Sequence, residues 1–223
     1  MAASGAFGAA GLTGLIRRVQ AAARRPHPEG VQELKGEVRI NKTPAKPGAL
    51  VHPGDTVTTG ADSHVVFVVG EDAYLLRANS RLQVNGEPAG KTASGEIRPA
   101  VVKVLNLMRG KMLAAFARGE KQIHAPTVTL GIRGTGVYIE AEAKRAYVCT
   151  CYGETVLEAR GSKAREEIRT TYHDAPRYVY ARGAAEAIAK APVINHGDDE
   201  LIMLEALMGR TPPFAGSGYE RRY

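Results

Sequence analysis

The residues best suited to chemistry are two cysteines, the only ones in the chain, in Tyr147-Val148-Cys149-Thr150-Cys151-Tyr152-Gly153. Residues two apart on a strand leave from one face, so both sulfurs project together. In a fully extended strand their Cα atoms lie ~6.5–7 Å apart, at the edge of disulfide reach. A Cys149–Cys151 bridge would therefore be strained and easily reduced. Two same-face thiolates instead supply half of a tetrahedral zinc or copper(I) site. His173 and His196 are the candidates for the other half. Both fall in turn-like sequence, Tyr172-His173-Asp174-Ala175-Pro176 and Asn195-His196-Gly197-Asp198, beside acidic residues able to orient an imidazole. His196 also precedes a helix N-terminus, which disfavours its protonation and keeps it competent as a ligand. Three other uses of these thiols stay open: small hydrophobes in a β core, a reversible redox pair, or a nucleophile activated by His173 or His196.

Enzyme motifs give little to set beside this. No GxSxG, HExxH or phosphate-cradling GxxxxGK[ST] run occurs. Gly131, Gly134 and Gly136 surround Arg133, but no helical pattern follows them as a phosphate loop requires. A tight turn or bulge, with Arg133 anchored on carbonyl or carboxylate oxygens, accounts for them. The expectation is a protein that is not an enzyme and requires no cofactor, with zinc or copper as the alternative.

The elements that must position these residues are mostly strands. From Val31 to about Ala159 short apolar or alternating runs recur roughly every ten residues between polar turns, the pattern of an all-β sandwich, barrel or roll. Val65–Val69 turns through Gly70-Glu71-Asp72 into Ala73–Arg77. Leu82 and Val84 lead into Asn85-Gly86, which reads as a hairpin turn. Val101–Leu107, Met112–Phe116, Val128–Ile132, Gly136–Glu140, Ala146–Cys151 and Glu154–Glu158 continue the series. After Arg160 the pattern changes. Arg177–Ala181 could add a strand, Ala184–Ala189 reads as weakly helical, and a helix is predicted near 198–208. Acidic residues open that helix, Leu201, Leu204, Leu207 and Met208 line one face, and Gly209 ends it. The expected organisation is a flexible N-terminus over 1–30, a β domain over 31–160 and an extension over 161–223 that packs on the β domain.

Composition sets the outer limits. The 223 residues carry a net charge of +7 and 44% hydrophobic side chains, which excludes whole-chain disorder. No apolar run approaches the ~18 residues of a membrane span. Two cysteines cannot build a disulfide framework. The one dense basic cluster is Arg17, Arg18, Arg24 and Arg25, while elsewhere the signs interleave, so nucleic-acid binding is not expected. Leu12, Leu15, Ile16, Val19, Ala22 and Ala23 recur at helical spacing beside those arginines. They form a short basic amphipathic helix, either loosely attached or resting on a membrane surface. The arginines follow the apolar stretch rather than precede it, the reverse of a secretory signal.

The β segment resembles the FecR domain, named for an iron-dicitrate sensing regulator of bacterial envelopes. The blocks that carry the resemblance run in order over most of 31–160. They are Gly36-Glu37-Val38, Lys46-Pro47-Gly48-Ala49 and Val51–Gly60 (VHPGDTVTTG, similar to "xxGDxIxTG"). Then come Asn79-Ser80, Val102–Gly110 (similar to "VLxLxxG") and Ala125–Thr135 (APTVTLGIRGT, similar to "TPTAxxGVRGT"). The resemblance implies a mainly β sandwich or roll, a periplasmic or envelope location, and sensory signal transduction through protein–protein contacts. The chain is similar to a stand-alone domain of that family, acting as a binding or sensory module with an unidentified protein partner or with further copies of itself. The alternatives are a metal-binding protein using Cys149, Cys151, His173 and His196, and a thiol redox protein.

Overall fold

The structure, a computed structural model, describes residues 11–21 and 27–215. Ala22, Ala23, Arg24 and Arg25 of the N-terminal pattern lie outside the described residues. In chain order the elements begin with α1 (Gly11–Ala21), β1 (Gly30–Lys35), β2 (Val38–Ile40), β3 (Thr43–Pro44), β4 (Thr56–Thr59), β5 (His64–Val69), β6 (Asp72–Leu76) and β7 (Arg81–Glu87). They continue with β8 (Gly90–Lys91), β9 (Ile97–Arg98), β10 (Val101–Ala115), β11 (Glu120–His124), β12 (Val128–Ala141), β13 (Arg145–Ala159), β14 (Arg165–Thr170), β15 (Arg177–Tyr180), β16 (Ile188–Lys190) and α2 (Asp198–Leu207).

The fold is mainly β, as the turn-punctuated pattern predicts. Three long strands organise it by changing partners along their length. β10 pairs with β7 and β11 through its first half and with β6 and β12 through its second. The switch falls at Gly110, φ +97°, where a Cβ would sit 2.1 Å from Ser80 Oγ, so only glycine allows the bend. β13 likewise pairs with β15 in its first half and β14 in its second. The sheet therefore curls over a main core, to which β5 contributes Val65, Phe67 and Val69. Their alternating neighbours Val66 and Val68 face outward into a second core with Leu75, Leu113, Leu201, Leu204 and Leu207. Period-two alternation thus gives one hairpin two buried faces, the outer one roofed by helices.

Several local expectations change. The sheet does not stop at residue 160, because β14, β15 and β16 extend it through pairing with β13 and with one another. Ala184–Ala189 is not helical: Gly183 turns the chain at φ +94° and Ile188 pairs with Val179. Six residues are too few to nucleate a helix against such pairing. Asn85-Gly86 is not a hairpin turn but lies inside β7, paired with Val104 and Val102 across a bulge. The glycine is needed for close approach, since a Cβ there would meet the Val101 carbonyl oxygen at 2.0 Å. The turn falls later, between β8 and β9, with Gly95 at φ +87°.

α1 has its apolar stripe in use. Leu15 and Val19 are buried in the second core, Leu12 and Ile16 pack against it, and Arg17 and Arg18 face solvent. The described part of that stripe, Leu12, Leu15, Ile16 and Val19, thus packs against the protein's own second core. No helix among the described residues is long and apolar enough to cross a membrane.

Candidate metal centre

Cys149 and Cys151 leave β13 toward the second core, while Val148, just before Cys149, faces the main one. Local backbone irregularity places them. Val137 pairs with Thr150 but Gly136 pairs with Tyr152, so β13 carries one extra residue, Cys151, in a bulge. As a result Cys149, Cys151 and Tyr152 all share the second core. Gly136 makes the arrangement sterically possible, since a Cβ there would lie 2.3 Å from the Tyr152 ring. Register is restored between Gly136 and Arg133, where Gly134 and Thr135 face the single Gly153 and β12 carries the one extra residue. Gly134 and Gly136 thus belong to a bulge, Gly131 stays in the regular ladder, and the exposed Arg133 pairs with Glu120 at 3.2 Å at the surface.

His173 sits in the loop between β14 and β15, and its backbone N–H donates to the Cys151 carbonyl at 3.0 Å. His196 sits in the loop before α2. His173 and Asn195, next to His196, both adopt left-handed backbone, φ +39° and +59°. Such conformations persist only where surrounding contacts hold them, and they gather at ligand clamps.

The four predicted residues come together. One ligand atom from each of Cys149, Cys151, His173 and His196 lies within 4.8 Å of all the others, and all four residues are buried. His173 Nδ1 is 3.6 Å from Cys149 Sγ and 2.9 Å from His196 Nε2. Around a tetrahedral zinc ion the same donors would stand roughly 3.3–3.8 Å apart, given Zn–N and Zn–S bonds of about 2.0 and 2.3 Å.

The outward nitrogens are also provided for. His196 Nδ1 lies 2.7 Å from the Ile194 carbonyl, and His173 Nε2 lies 3.3 Å from Asp198 Oδ1. The Ile194 carbonyl favours a proton on His196 Nδ1 and a lone pair on its inward nitrogen, while Asp198 places a carboxylate beside His173 Nε2. The inward nitrogens, His173 Nδ1 and His196 Nε2, lie 2.9 Å apart, at hydrogen-bond distance, and a bound metal ion would take the place of the proton between them. The acidic partner also crosses over: Asp198, near His196 in sequence, faces His173. Tyr172 donates its hydroxyl to Asp198 Oδ2 at 2.9 Å, fixing that carboxylate.

The thiols are electrostatically split. A hydrogen bond from Cys151 holds the Cys149 thiol well below its ordinary pKa against the cost of burial, with further help from His173 and His196. Burial pushes Cys151 upward, reinforced by the Cys149 charge. Of the two, Cys149 is thus the sulfur favoured as thiolate, the form that binds a metal. Both cysteines are free and fully buried, 0% exposed, which removes Cys149 from the reach of a substrate.

A supporting network went unread in the sequence. The Tyr138 ring stacks on His196, with centroids 4.5 Å apart, and its hydroxyl donates to Glu140 at 2.7 Å. Asn195 Nδ2 donates to the same carboxylate oxygen at 2.7 Å. Arg77 bonds Glu200 at 2.8 Å and the Asn195 carbonyl at 2.9 Å. Burial works to raise Glu140, but hydrogen bonds from Asn195 and Tyr138 outweigh it and hold its carboxyl below the usual range.

Comparison with known proteins finds no matching family model and no matching curated protein. Among solved structures, two crystal structures of a candidate anti-sigma factor from Parabacteroides distasonis are similar. They have TM-scores of 0.45 and 0.47 and identities of 11% and 10%, and in each case the match covers 61% of this chain and 58% of the other. The match spans less than two thirds of the neighbour's length. Likeness at this level assigns neither family nor activity.

Proposed function

We propose that the protein is a non-enzymatic, metal-binding module whose Cys149, Cys151, His173 and His196 hold a single zinc ion. The observation that carries this reading is the convergence of four buried donors with the outward nitrogen of each imidazole set against an acceptor. Two thiolates and two neutral imidazoles carry a charge of −2, which a divalent ion cancels. A cuprous ion would leave a net negative centre in surroundings that solvate charge poorly. Four protein ligands close a tetrahedron and leave no position for substrate, the pattern of structural rather than catalytic zinc.

The FecR-like sequence blocks and the mainly β fold support a wider setting, a binding or sensory module of the bacterial envelope that acts through contacts with another protein. In that setting the metal centre is part of the module's architecture.

The test is elemental analysis of natively purified protein, wild type beside Cys149→Ser/Cys151→Ser, with Co(II) substitution as a second probe. Near-stoichiometric zinc that is lost in the variant is the expected result, together with thiolate-to-cobalt charge-transfer absorption in the wild type. Metal-free wild type that takes up neither zinc nor cobalt at neutral pH would end the metal reading.

A further inference from the structure

The four donors belong to three segments, and one of these leads into the helical layer. His196 stands two residues before α2, and Asp198, the first residue of α2, is the carboxylate that faces His173. The helix starts on an acidic first turn, with the Gly197 N–H donating to Glu200 at 3.2 Å, but these alone do not sustain it. Its N-cap is Gly197, which offers no capping side chain, and ten residues are too few for a helix to stand alone in water. α1 rests on α2 in turn: Leu15 and Val19 share its core, and the His27 N–H donates to the Leu207 carbonyl at 2.7 Å. Beneath both helices lies the apolar outer face of the sheet, with Val66, Val68 and Leu113.

We infer that metal occupancy of this centre latches the α1–α2 layer onto the sheet, so that metal loss loosens both helices together and uncovers the apolar face beneath. The inference rests on the metal-binding reading. Arg77–Glu200 and Tyr152–Glu205 still hold the body of α2, so the opening is a local fluctuation and not a detachment. An ion that binds only the closed layer stabilises it by RT ln(1 + [L]/Kd). At free zinc 100 times Kd, openings that break the centre become ~100-fold rarer. α1 is the discriminating reporter, because it supplies no donor and packs on α2.

Hydrogen exchange followed by mass spectrometry tests this on the full chain, EDTA-treated and then zinc-loaded at 100 times Kd. The expected result is ~100-fold slower exchange across both 198–207 and 11–21 with zinc, and unchanged exchange in the β8–β9 hairpin, which lies outside the main sheet. Binding of 8-anilinonaphthalene-1-sulfonate should rise in the zinc-free protein. Stoichiometric zinc with no change in α1 would overturn the latch and leave the metal reading intact. A uniform change along the chain would overturn it too, since that reports global unfolding. Failure to bind zinc at all would overturn the metal reading and the latch with it.

Discussion

Asp198→Asn separates a metal centre from a mere cluster of buried polar groups. The substitution keeps the shape of the side chain and removes only its charge, 3.3 Å from His173 Nε2. An asparagine can turn its carbonyl toward that nitrogen and its amide toward the Tyr172 hydroxyl, so the contacts survive with a weaker acceptor. Carboxylates behind metal-bound imidazoles contribute about 10–100-fold in affinity, or ~1.4–2.7 kcal/mol. Asp198 also sits in the first turn of α2, where loss of a negative charge costs ~0.3–1 kcal/mol through the helix dipole. Asp199→Asn controls for that second effect, since Asp199 is the exposed next residue of the same turn. Zinc affinity would be measured by competition with a chromophoric chelator at constant pH and ionic strength. Asp198→Asn should weaken binding at least ~10-fold, while Asp199→Asn stays within ~5-fold of wild type, allowing for the dipole alone. Equal affinities in the two variants would refute the assignment of Asp198 as the group that orients His173.

Other outcomes follow from the same structure. Gly136→Ala sets a Cβ 2.3 Å from the Tyr152 ring, so it should cost ~1–3 kcal/mol by overpacking and weaken zinc binding through the Cys151 bulge; urea unfolding and chelator competition would show both. Leu204→Ala, in the fully buried roof of the second core, should cost about 2–5 kcal/mol in the same unfolding assay. Asp72 is pushed up to about 6, chiefly by burial and against the pull of Lys121. Between its unfolded value of 3.8 and about 6 the folded chain binds more protons, so this group's contribution to stability falls as pH rises through that window, by up to ~3 kcal/mol. Zinc-free Asp72→Asn should therefore gain on zinc-free wild type between pH 4 and pH 6.5. A difference between the two that does not change with pH would contradict the buried-carboxylate account.

Much of the site was legible because local spacing carried it. Cys149 and Cys151 stand two apart on a strand, so a shared face followed from period-two geometry alone. His173 and His196 lay in turn sequence beside carboxylates, and α2 announced itself through its acidic first turn and leucine stripe. The same local grammar misled at Asn85-Gly86, where the residue types of a hairpin turn serve close contact with β10, and at Ala184–Ala189, where strand pairing overrides composition.

By itself, then, the sequence determined the mainly β class, most of the strand series and the four candidate residues that converge. Period, turn chemistry and charge act over a few residues and are written in neighbouring side chains. Tertiary structure alone decided that Asp198 faces His173 rather than its neighbour His196, and that Tyr138, Glu140 and Asn195 brace the His196 loop. It also decided that the apolar stripe of α1 closes on α2 and the sheet. Those contacts join residues tens of positions apart, through bulges and partner changes in β10, β12 and β13. A bulge at Cys151 or a bend at Gly110 re-aims side chains by geometry that no local spacing encodes.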